Sequence, residues 1–407
     1  MSSGVTSADL VVVGAGILGL AVAREALLRY DGLRVLVLEK EDRVAAHQTG
    51  HNSGVVHSGI YYAPDSLKAR LCVQGSRALY AYCEEQGIAT ERCGKVVVAT
   101  DERDLARLDE IHARARANGV EGVTLLGEDD LREVEPAVRG IRALHSPGTG
   151  IVDFRQVARS LAEEIVGRGA AIRLRAAVHG MSRSGDRTVR LVTTVGAVEA
   201  GAVITCAGLH SDRLARMTGG PVSPRIVPFR GRYHALSAGA SGLVRGLVYP
   251  VPDPSFPFLG VHFTKQISGE VWTGPNAVLA LAREGYRGWD VNPRDLWETL
   301  SYSGFRTFAR HSWRAGLSEV RGDASKQTFV RALQRLVPSM RAEHLAGPHA
   351  GVRAQALSSD GRLLDDFWFD RADRVLHLRN APSPAATSSL ALAKEVVAAA
   401  EEFIADR

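Results

Sequence analysis

DLVVVGAGILG, from Asp9 to Gly19, is the stretch that decides the fold of this chain of 407 residues. Asp9 to Val13 predicts a short buried strand, the glycines after it predict a tight turn, and the apolar periodicity from Leu20 to Arg29 predicts a helix. A second predicted strand, Leu33 to Leu38, ends in Glu39. This order of strand, G-x-G-x-x-G turn, helix and acid-terminated strand predicts a dinucleotide-binding site.

Each part of this pattern has a physical role in holding a dinucleotide. Gly14 permits the sharp turn, Gly16 lets backbone N–H groups approach a pyrophosphate, and Gly19 lets the helix pack closely on the strand. The helix N-terminus favours the phosphate charge, and Glu39 can accept hydrogen bonds from a ribose. A glycine-rich turn without a ligand is the alternative, but it leaves the acidic end of the second strand unexplained.

Composition indicates a globular protein large enough for two domains. The chain has 45% hydrophobic and 23% charged residues, which is ordinary for globular proteins. Its formal net charge is +5, yet the arginines are spread along the chain without a basic run or interleaved aromatic residues. This distribution argues against nucleic-acid binding and leaves open an acidic small molecule or an anionic membrane surface as partner.

Cysteine usage and apolar runs bear on metal content and location. Cys72, Cys83, Cys93 and Cys206 show neither C-x-x-C spacing nor an accompanying histidine cluster, so we expect no metal site and no redox disulfide. No apolar run approaches the roughly eighteen residues that would span a bilayer. We expect a cytoplasmic protein, with peripheral contact to the inner face of the cell membrane as an open alternative.

The pattern along the chain predicts an α/β (α+β) fold with a discontinuous Rossmann-like domain and an antiparallel-sheet substrate domain. Ala202 to Cys206 predicts a buried strand that returns to the nucleotide-binding sheet. From Ile226 to about Phe329, short β-like runs alternate with Pro and Gly, which is typical of an antiparallel sheet. We assign residues 1–90, 145–225 and 340–407 to the first domain and residues 91–144 and 226–339 to the second.

A segment after the second strand would not be needed by a plain nicotinamide-binding fold. From His47 to Tyr62, small residues alternate with hydrogen-bonding side chains, which suits a backbone laid against a flat, polar ring system. The sequence therefore predicts that this segment contacts the ring of a cofactor.

Two features near the end of the chain point to the same cofactor and its substrate. Gly351 to Ala356 predicts a strand of a hairpin with its turn near Ser358 to Gly361, and Arg353 lies in this strand among apolar and small residues. Because buried arginines are rare unless paired, Arg353 should face a carboxylate or a cavity, with an internal salt bridge as the alternative. Asn380 to Thr387 opens the final helix with two prolines, and its N-terminus would favour negative charge on a bound ring. A proline-stiffened helix start without a ligand is the alternative.

The whole chain resembles the FAD-dependent oxidoreductases of the D-amino-acid oxidase and glycine oxidase superfamily. The segments that carry the resemblance are spread from end to end of the chain. They are VVVGAGILGLAVAREA (Val11 to Ala26), HNSGVVHSGIYY (His51 to Tyr62), KARLC (Lys68 to Cys72), RCGKVVVAT (Arg92 to Thr100), GIVDFRQVA (Gly150 to Ala158), PFRGRYH (Pro228 to His234), YPVPDPSFPFLGVHFT (Tyr249 to Thr264), GPNAVLALAREGYR (Gly274 to Arg287), AGVRAQALSSDGRLLDDF (Ala350 to Phe367) and NAPSPAATSS (Asn380 to Ser389).

The resemblance implies FAD as cofactor and a set of residues around it. These residues are Gly14, Gly16, Ile17, Leu18, Gly19, Glu39, Lys40, Thr49, Asn52, Ser53, Gly54, Val55, Val178, Ala207, Gly208, Arg353, Pro382, Ser383, Pro384, Ala385, Ala386 and Thr387.

Within the superfamily, the chain is similar to the enzymes that oxidise L-2-hydroxyglutarate to 2-oxoglutarate and pass the electrons to quinone or oxygen. The resemblance places His57, Tyr249, His262 and Arg353 at the substrate. We expect Arg353 to hold the C1 carboxylate and His57 to act as base, with His262 as the competitor for that role. The alternatives are an amino-acid or sarcosine oxidase of the same fold that makes H2O2, and a non-catalytic flavin- or NAD-binding regulatory module.

Overall fold

The strand-turn-helix unit forms as the sequence predicts. In the computed structural model, which describes residues 6–253, 260–275, 277–311 and 326–406, strand β1 (Thr6–Val13) leads into the glycine turn. Helix α1 (Ile17–Arg29) leaves the turn, and β2 (Val35–Leu38) pairs with β1 in parallel, with Leu38 opposite Val13. The carboxyl ends of both strands therefore meet beside the turn, which is where α/β folds bind nucleotides.

Eight strands form the sheet around β1. Besides β1 and β2 they are β9 (Ala171–Arg173), β10 (Val178–Arg183), β11 (Val189–Thr193), β12 (Gly196–Thr205), β19 (Trp368–Ala372) and β20 (Val375–Asn380). The order is β10-β11-β12-β1-β2-β9, with β20 on β12 and β19 on β20. Strand β12 pairs with β1 in parallel and places Thr205 opposite Val13. This pairing confirms the predicted return of residues 202–206 to the nucleotide-binding sheet.

Helices cover this sheet and build the largest hydrophobic core. Helices α5 (Phe154–Gly167) and α9 (Ser389–Ala399) pack on α1, and α2 (Leu67–Glu85) packs on α9. Helices α6 (Ser211–Met217) and α10 (Glu401–Ala405) lie on strands β20 and β12. Leu10 and Val12 of β1 pack with Leu161 of α5 and Val396 of α9 in one buried cluster. The start and the end of the chain are thus joined by apolar burial, the main favourable term in folding.

A second sheet of nine strands carries the other half of the structure. Its strands are β5 (Lys95–Ala99), β6 (Thr124–Leu126), β7 (Arg142–Ser146), β13 (Arg225–Leu236), β14 (Leu247–Pro250), β15 (His262–Lys265), β16 (Val271–Gly274), β17 (Val278–Leu279) and β18 (Leu345–Leu357). Its pairs are antiparallel, as predicted, except that β14 and β5 run parallel. Further helices are α3 (Leu105–Ala117), α4 (Glu128–Val134), α7 (Pro293–Leu300) and α8 (Lys326–Gln334), and residues 303–311 are also helical.

The long strand β18 differs from its prediction. Its long partner is β13, along which it runs antiparallel with Phe229 opposite Arg353. The predicted hairpin is short: it has a bridge between Leu357 and Leu363 and a backbone hydrogen bond from Leu364 N–H to Ala356 O. The turn itself forms at Ser358 to Gly361. β18 therefore lies in the second sheet, although the sequence assigns residues 340–407 to the first domain. The domain boundaries stay predictions.

A third sheet links the segments beside the glycine turn. It pairs β3 (Val55–Val56) and β4 (Thr90–Glu91) with β8 (Gly150–Val152). Each strand has only two or three residues, which is too short for a periodic signal in the sequence.

Close backbone contact fixes the position of α1 on the sheet. A Cβ added at Gly19 would overlap Gly14 O, and one added at Gly14, where φ is +108°, would lie 2.5 Å from Cys206 O. Both positions therefore require glycine because the neighbouring atoms are backbone and cannot move independently.

We predict that Gly19→Ala destabilises the protein by roughly 1–3 kcal/mol or more, since the methyl group must push α1 away from the turn. Thermal unfolding and the content of bound cofactor measure the effect. Gly167→Ala, at the exposed end of α5 with nothing within 4 Å of the added Cβ, is the matched control. Equal unfolding temperatures for the two variants would contradict the proposed packing constraint.

Candidate functional site

The glycine turn presents the N-terminus of α1 to a cavity. Gly16 is the N-cap and has no side chain to satisfy the first N–H groups of the helix, and the Ile17 N–H instead donates to Thr49 Oγ1 at 3.0 Å. Gly14, Gly16, Ile17 and Leu18 line the cavity. A helix start with open N–H groups is favourable for negative charge, as a pyrophosphate would supply.

Glu39 ties the end of β2 to the turn. Its Oε2 accepts a hydrogen bond from the Ala15 N–H at 2.7 Å, and its Oε1 accepts one from the Glu41 N–H at 3.0 Å. The side chain is buried and still lines the cavity. Since a carboxylate oxygen accepts more than one hydrogen bond, the predicted contact to a ribose remains compatible with these two bonds.

A polar network lies next to Glu39. Lys40 Nζ is 2.6 Å from Glu284 Oε1 and 3.0 Å from His47 Nε2, and His210 Nε2 is 2.8 Å from the same Glu284 oxygen. Burial would raise the pKa of Glu284, but hydrogen bonds from His210 and Lys40 lower it to about 2. Glu41, His47 and Glu284 could together ligate a metal, but the Lys40 ammonium already lies among them.

One cavity of about 1330 Å³ collects nearly all the cofactor residues that the resemblance implies. Its volume exceeds the roughly 300–1,000 Å³ of an ordinary small-ligand site. The implied residues that line it are Gly14, Gly16, Ile17, Leu18, Glu39, Lys40, Thr49, Asn52, Ser53, Val55, Val178, Ala207, Gly208, Arg353, Pro382, Ser383, Pro384, Ala385, Ala386 and Thr387.

Gly19 and Gly54 are the two implied residues that do not line the cavity. Gly19 packs on Gly14 O, and Gly54, with φ at +69°, approaches Val152 O so closely that an added Cβ would lie 2.8 Å from it. In the structure both glycines permit close backbone packing beside the cavity.

The four residues expected at the substrate line the same cavity. His57, Tyr249, His262 and Arg353 come from four separate segments of the chain. The Tyr249 and His262 rings stack at 3.8 Å between centroids. The last segment contributes as well, because Ser383 Oγ lies 3.4 Å from His57 Nε2 and Thr387 Oγ1 accepts the His57 N–H at 3.1 Å.

The chain matches one protein family over nearly its whole length. The sequence profile of the DAO family, described as FAD dependent oxidoreductase, matches residues 9–399. The chain belongs to this family of FAD-dependent oxidoreductases.

Curated members of this family are similar over nearly their whole length. L-2-hydroxyglutarate dehydrogenase, mitochondrial, of Homo sapiens is 44% identical, over 96% of this chain and 88% of the human protein. L-2-hydroxyglutarate dehydrogenase of Escherichia coli (strain K12) is 42% identical, over 98% of this chain and 94% of that protein.

Solved structures show the same fold at low sequence identity. Dithionite-reduced L-alpha-glycerophosphate oxidase from Mycoplasma pneumoniae, with FAD bound, superposes with a TM-score of 0.79 at 21% identity and covers 97% of this chain and 95% of that chain. Glycine oxidase from Geobacillus kaustophilus gives 0.72 at 20% identity and covers 99% of this chain and 95% of that chain.

The fold of this FAD-dependent oxidoreductase suits the cofactor on structural grounds. The turn leaves no room for a Cβ at Gly14, the N-terminus of α1 has no capping side chain, and the 382–387 segment lines the same cavity from the other end of the chain. Among the described residues, we find no helix with the length and apolarity to cross a bilayer.

Burial sets the protonation of both histidines. It lowers the pKa of His262 to about 3, and burial together with the charge of Lys95 holds the pKa of His57 well below its usual range. His262 Nδ1 lies 2.8 Å from Gly260 O, so Nδ1 carries the proton and Nε2 keeps its lone pair. Both imidazoles are therefore neutral near pH 7, the form that can accept a proton.

Sequence reasoning missed several residues of this site. Lys68 of α2 and Arg107 and Arg114 of α3 line the cavity, and Gln48 Oε1 accepts the N–H of Ala354, next to Arg353, at 2.9 Å. The many charged residues of α3 are typical of a helix exposed to solvent. Nothing in its sequence therefore predicts that Arg107 and Arg114 line a cavity. Gln48 lies within the His47 to Tyr62 segment that the sequence did select.

We predict that Glu39→Gln lowers stability and weakens cofactor retention. The amide offers one acceptor oxygen, so either the buried Ala15 N–H or the partly buried Glu41 N–H loses its partner, at a cost of about 1–3 kcal/mol. Thermal unfolding and the flavin-to-protein absorbance ratio after dialysis measure the loss. Glu85→Gln, at the exposed end of α2, is the control, and matching results for the two variants would contradict the role of Glu39.

Proposed function

We propose that this protein uses FAD to oxidise L-2-hydroxyglutarate to 2-oxoglutarate. The observation that supports this function most is that Arg353, His57, His262 and Tyr249 share one cavity with the glycine turn. The near full-length similarity to proteins named L-2-hydroxyglutarate dehydrogenase supports the choice of substrate. When bound, the flavin supplies a hydride acceptor at N5.

Arg353 is proposed to bind the C1 carboxylate of the substrate. A guanidinium binds a carboxylate through two parallel hydrogen bonds, which fixes the orientation of the carbon that bears the hydroxyl group. Arg353 lies in β18 opposite Phe229 of β13, in the interior of the paired region. This position on a sheet holds the guanidinium more rigidly than a loop would.

A dicarboxylic substrate needs a second cationic group. Lys68, Arg107 and Arg114 line the cavity together with Tyr61 and Tyr62. Lys68 pairs with the exposed Asp365, and both arginines pair with Glu110. These lysine and arginine side chains are the candidates for the C5 carboxylate, since their present partners Asp365 and Glu110 are exposed carboxylates that a substrate can replace.

A histidine is proposed to take the hydroxyl proton. His57 is the first candidate because its ring and its backbone are both held by the 383–387 segment. His262 is the competitor, since its Nε2 lone pair is available and its ring is fixed by stacking on Tyr249. Either neutral imidazole can act as general base.

Replacement of Arg353 by lysine tests the carboxylate contact. We expect KM to rise by about tenfold or more while FAD stays bound, because an ammonium provides one contact where the guanidinium provides two. Steady-state kinetics with L-2-hydroxyglutarate measure the change, and Arg371→Lys on the exposed part of β19 is the control. Unchanged kinetics in Arg353→Lys would remove Arg353 from the substrate site.

Separate alanine variants distinguish the two histidines. We expect His57→Ala to slow anaerobic flavin reduction by about 10² or more if His57 is the base, with the smaller effect in His262→Ala. Stopped-flow absorbance measures the rate, and His349→Ala, an exposed histidine stacked on Trp272, is the control. A normal reduction rate in His57→Ala would transfer the role of base to His262.

The electrons are proposed to leave to quinone or oxygen. The formal net charge of +5 supports peripheral contact with an anionic membrane, where a quinone acceptor would be located. We expect salt-sensitive co-sedimentation with liposomes that contain anionic lipid, and none with neutral liposomes. The absence of salt-sensitive recovery with the anionic liposomes would argue against this membrane contact, and rapid H2O2 formation would favour oxygen.

A further inference from the structure

Lys95 is a buried lysine that the proposed chemistry has not used. It is the first residue of β5 and is 2% exposed. Lysine is almost never fully buried unless an acidic group is paired with it. The surroundings of its ammonium therefore need a physical explanation.

The ammonium of Lys95 is surrounded by aromatic rings. Its Nζ lies 4.0 Å from the centroid of the Tyr249 ring and 5.3 Å from that of Tyr61. Among the described residues, none forms an ion pair or hydrogen bond with the ammonium group of Lys95. Its neighbours Cys72 and Cys93 are thiols whose pKa burial raises, so they remain uncharged and do not neutralise it.

This arrangement is costly for stability alone. Desolvation of a charge without a carboxylate partner is strongly unfavourable, and cation–π contacts offset only part of that cost. Burial accordingly lowers the pKa of Lys95 to about 7. A methionine of similar length would fill the same space without that cost, so packing does not explain a lysine here.

The aromatic rings connect Lys95 to the site. Tyr61 and Tyr249 both line the cavity, and the Tyr249 ring stacks on His262. After burial, the charge of Lys95 makes the largest electrostatic contribution that lowers the pKa of His57, and it also lowers the pKa of His262. Lys68 and Arg353 act on His57 in the same direction, with smaller effects.

We propose that Lys95 is a positioning residue whose ammonium, behind Tyr61 and Tyr249, opposes protonation of the site imidazoles and attracts the substrate carboxylates. The ammonium acts through its field and through Tyr249, without touching the reacting atoms. Two effects follow. The imidazoles stay neutral as the pH falls, and substrate binding weakens as the pH rises and Lys95 loses its charge.

Two substitutions separate charge from packing. Lys95→Met keeps the length and removes the charge, whereas Lys95→Arg keeps a charge that does not titrate. Lys394→Met, which removes a charge from the exposed face of α9, is the control. An intact visible flavin spectrum and a single cooperative thermal unfolding transition identify variants that retain the fold.

The first readout is the pH profile of steady-state oxidation of L-2-hydroxyglutarate with an artificial electron acceptor. This readout rests on the proposed function. In Lys95→Met we expect the acid limb of kcat/KM to move up by about one pH unit and KM to rise roughly tenfold at neutral pH. In Lys95→Arg we expect the acid limb of the wild type, without the alkaline rise in KM. Profiles of Lys95→Met that superimpose on the wild type would overturn the proposal.

The second readout does not need turnover. In holoenzyme labelled with 15N-histidine, NMR follows the titration of His57 and His262, assigned from the signals lost in His57→Gln and His262→Gln. We expect both titrations to move up by about one pH unit in Lys95→Met and to stay in place in Lys95→Arg and Lys394→Met. Unmoved titrations in Lys95→Met overturn the role of Lys95, whereas moved titrations in a protein that L-2-hydroxyglutarate never reduces refute only the proposed substrate.

Discussion

The hydrogen bond from the Ala15 N–H to the Glu39 carboxylate, 2.7 Å long, is the contact on which the rest of the site depends. It joins the glycine turn to the end of β2, so the N-terminus of α1 and the acidic end of β2 face one cavity. The close packing of Gly19 on Gly14 O holds the helix there. Glycine at those two positions and a carboxylate at position 39 together shape the wall on which the dinucleotide would lie.

The other wall of the cavity comes from distant parts of the chain. β18 brings Arg353 from the second sheet, and the 382–387 segment brings the start of α9. Burial in this shared space explains the electrostatics, because it keeps both imidazoles neutral while cationic groups remain. A neutral base beside fixed positive charge is the combination that an anionic hydroxy acid requires if its hydroxyl proton is to leave.

Local signals in the sequence predicted the features that depend on neighbouring residues. The strand, turn and helix predicted from Asp9 to Arg29, the return of residues 202–206 to the first sheet and the turn at Ser358 to Gly361 all form. The pairing of β18 with β13 was not predicted, because antiparallel partners more than a hundred residues apart leave no periodic trace in either strand. The burial of Lys95 was not predicted for a related reason. In the run KVVVA, the lysine is typical of an exposed residue at the start of a strand, and only the tertiary structure shows that it is buried without an acidic partner.

The most direct test of the account is the anaerobic absorbance spectrum of the purified protein with and without L-2-hydroxyglutarate. If the protein binds FAD and oxidises L-2-hydroxyglutarate as proposed, we expect a visible flavin band that disappears on addition of L-2-hydroxyglutarate and persists on addition of D-2-hydroxyglutarate or glycine. A colourless protein that takes up no added FAD, or a flavin band that L-2-hydroxyglutarate leaves unchanged, would contradict it.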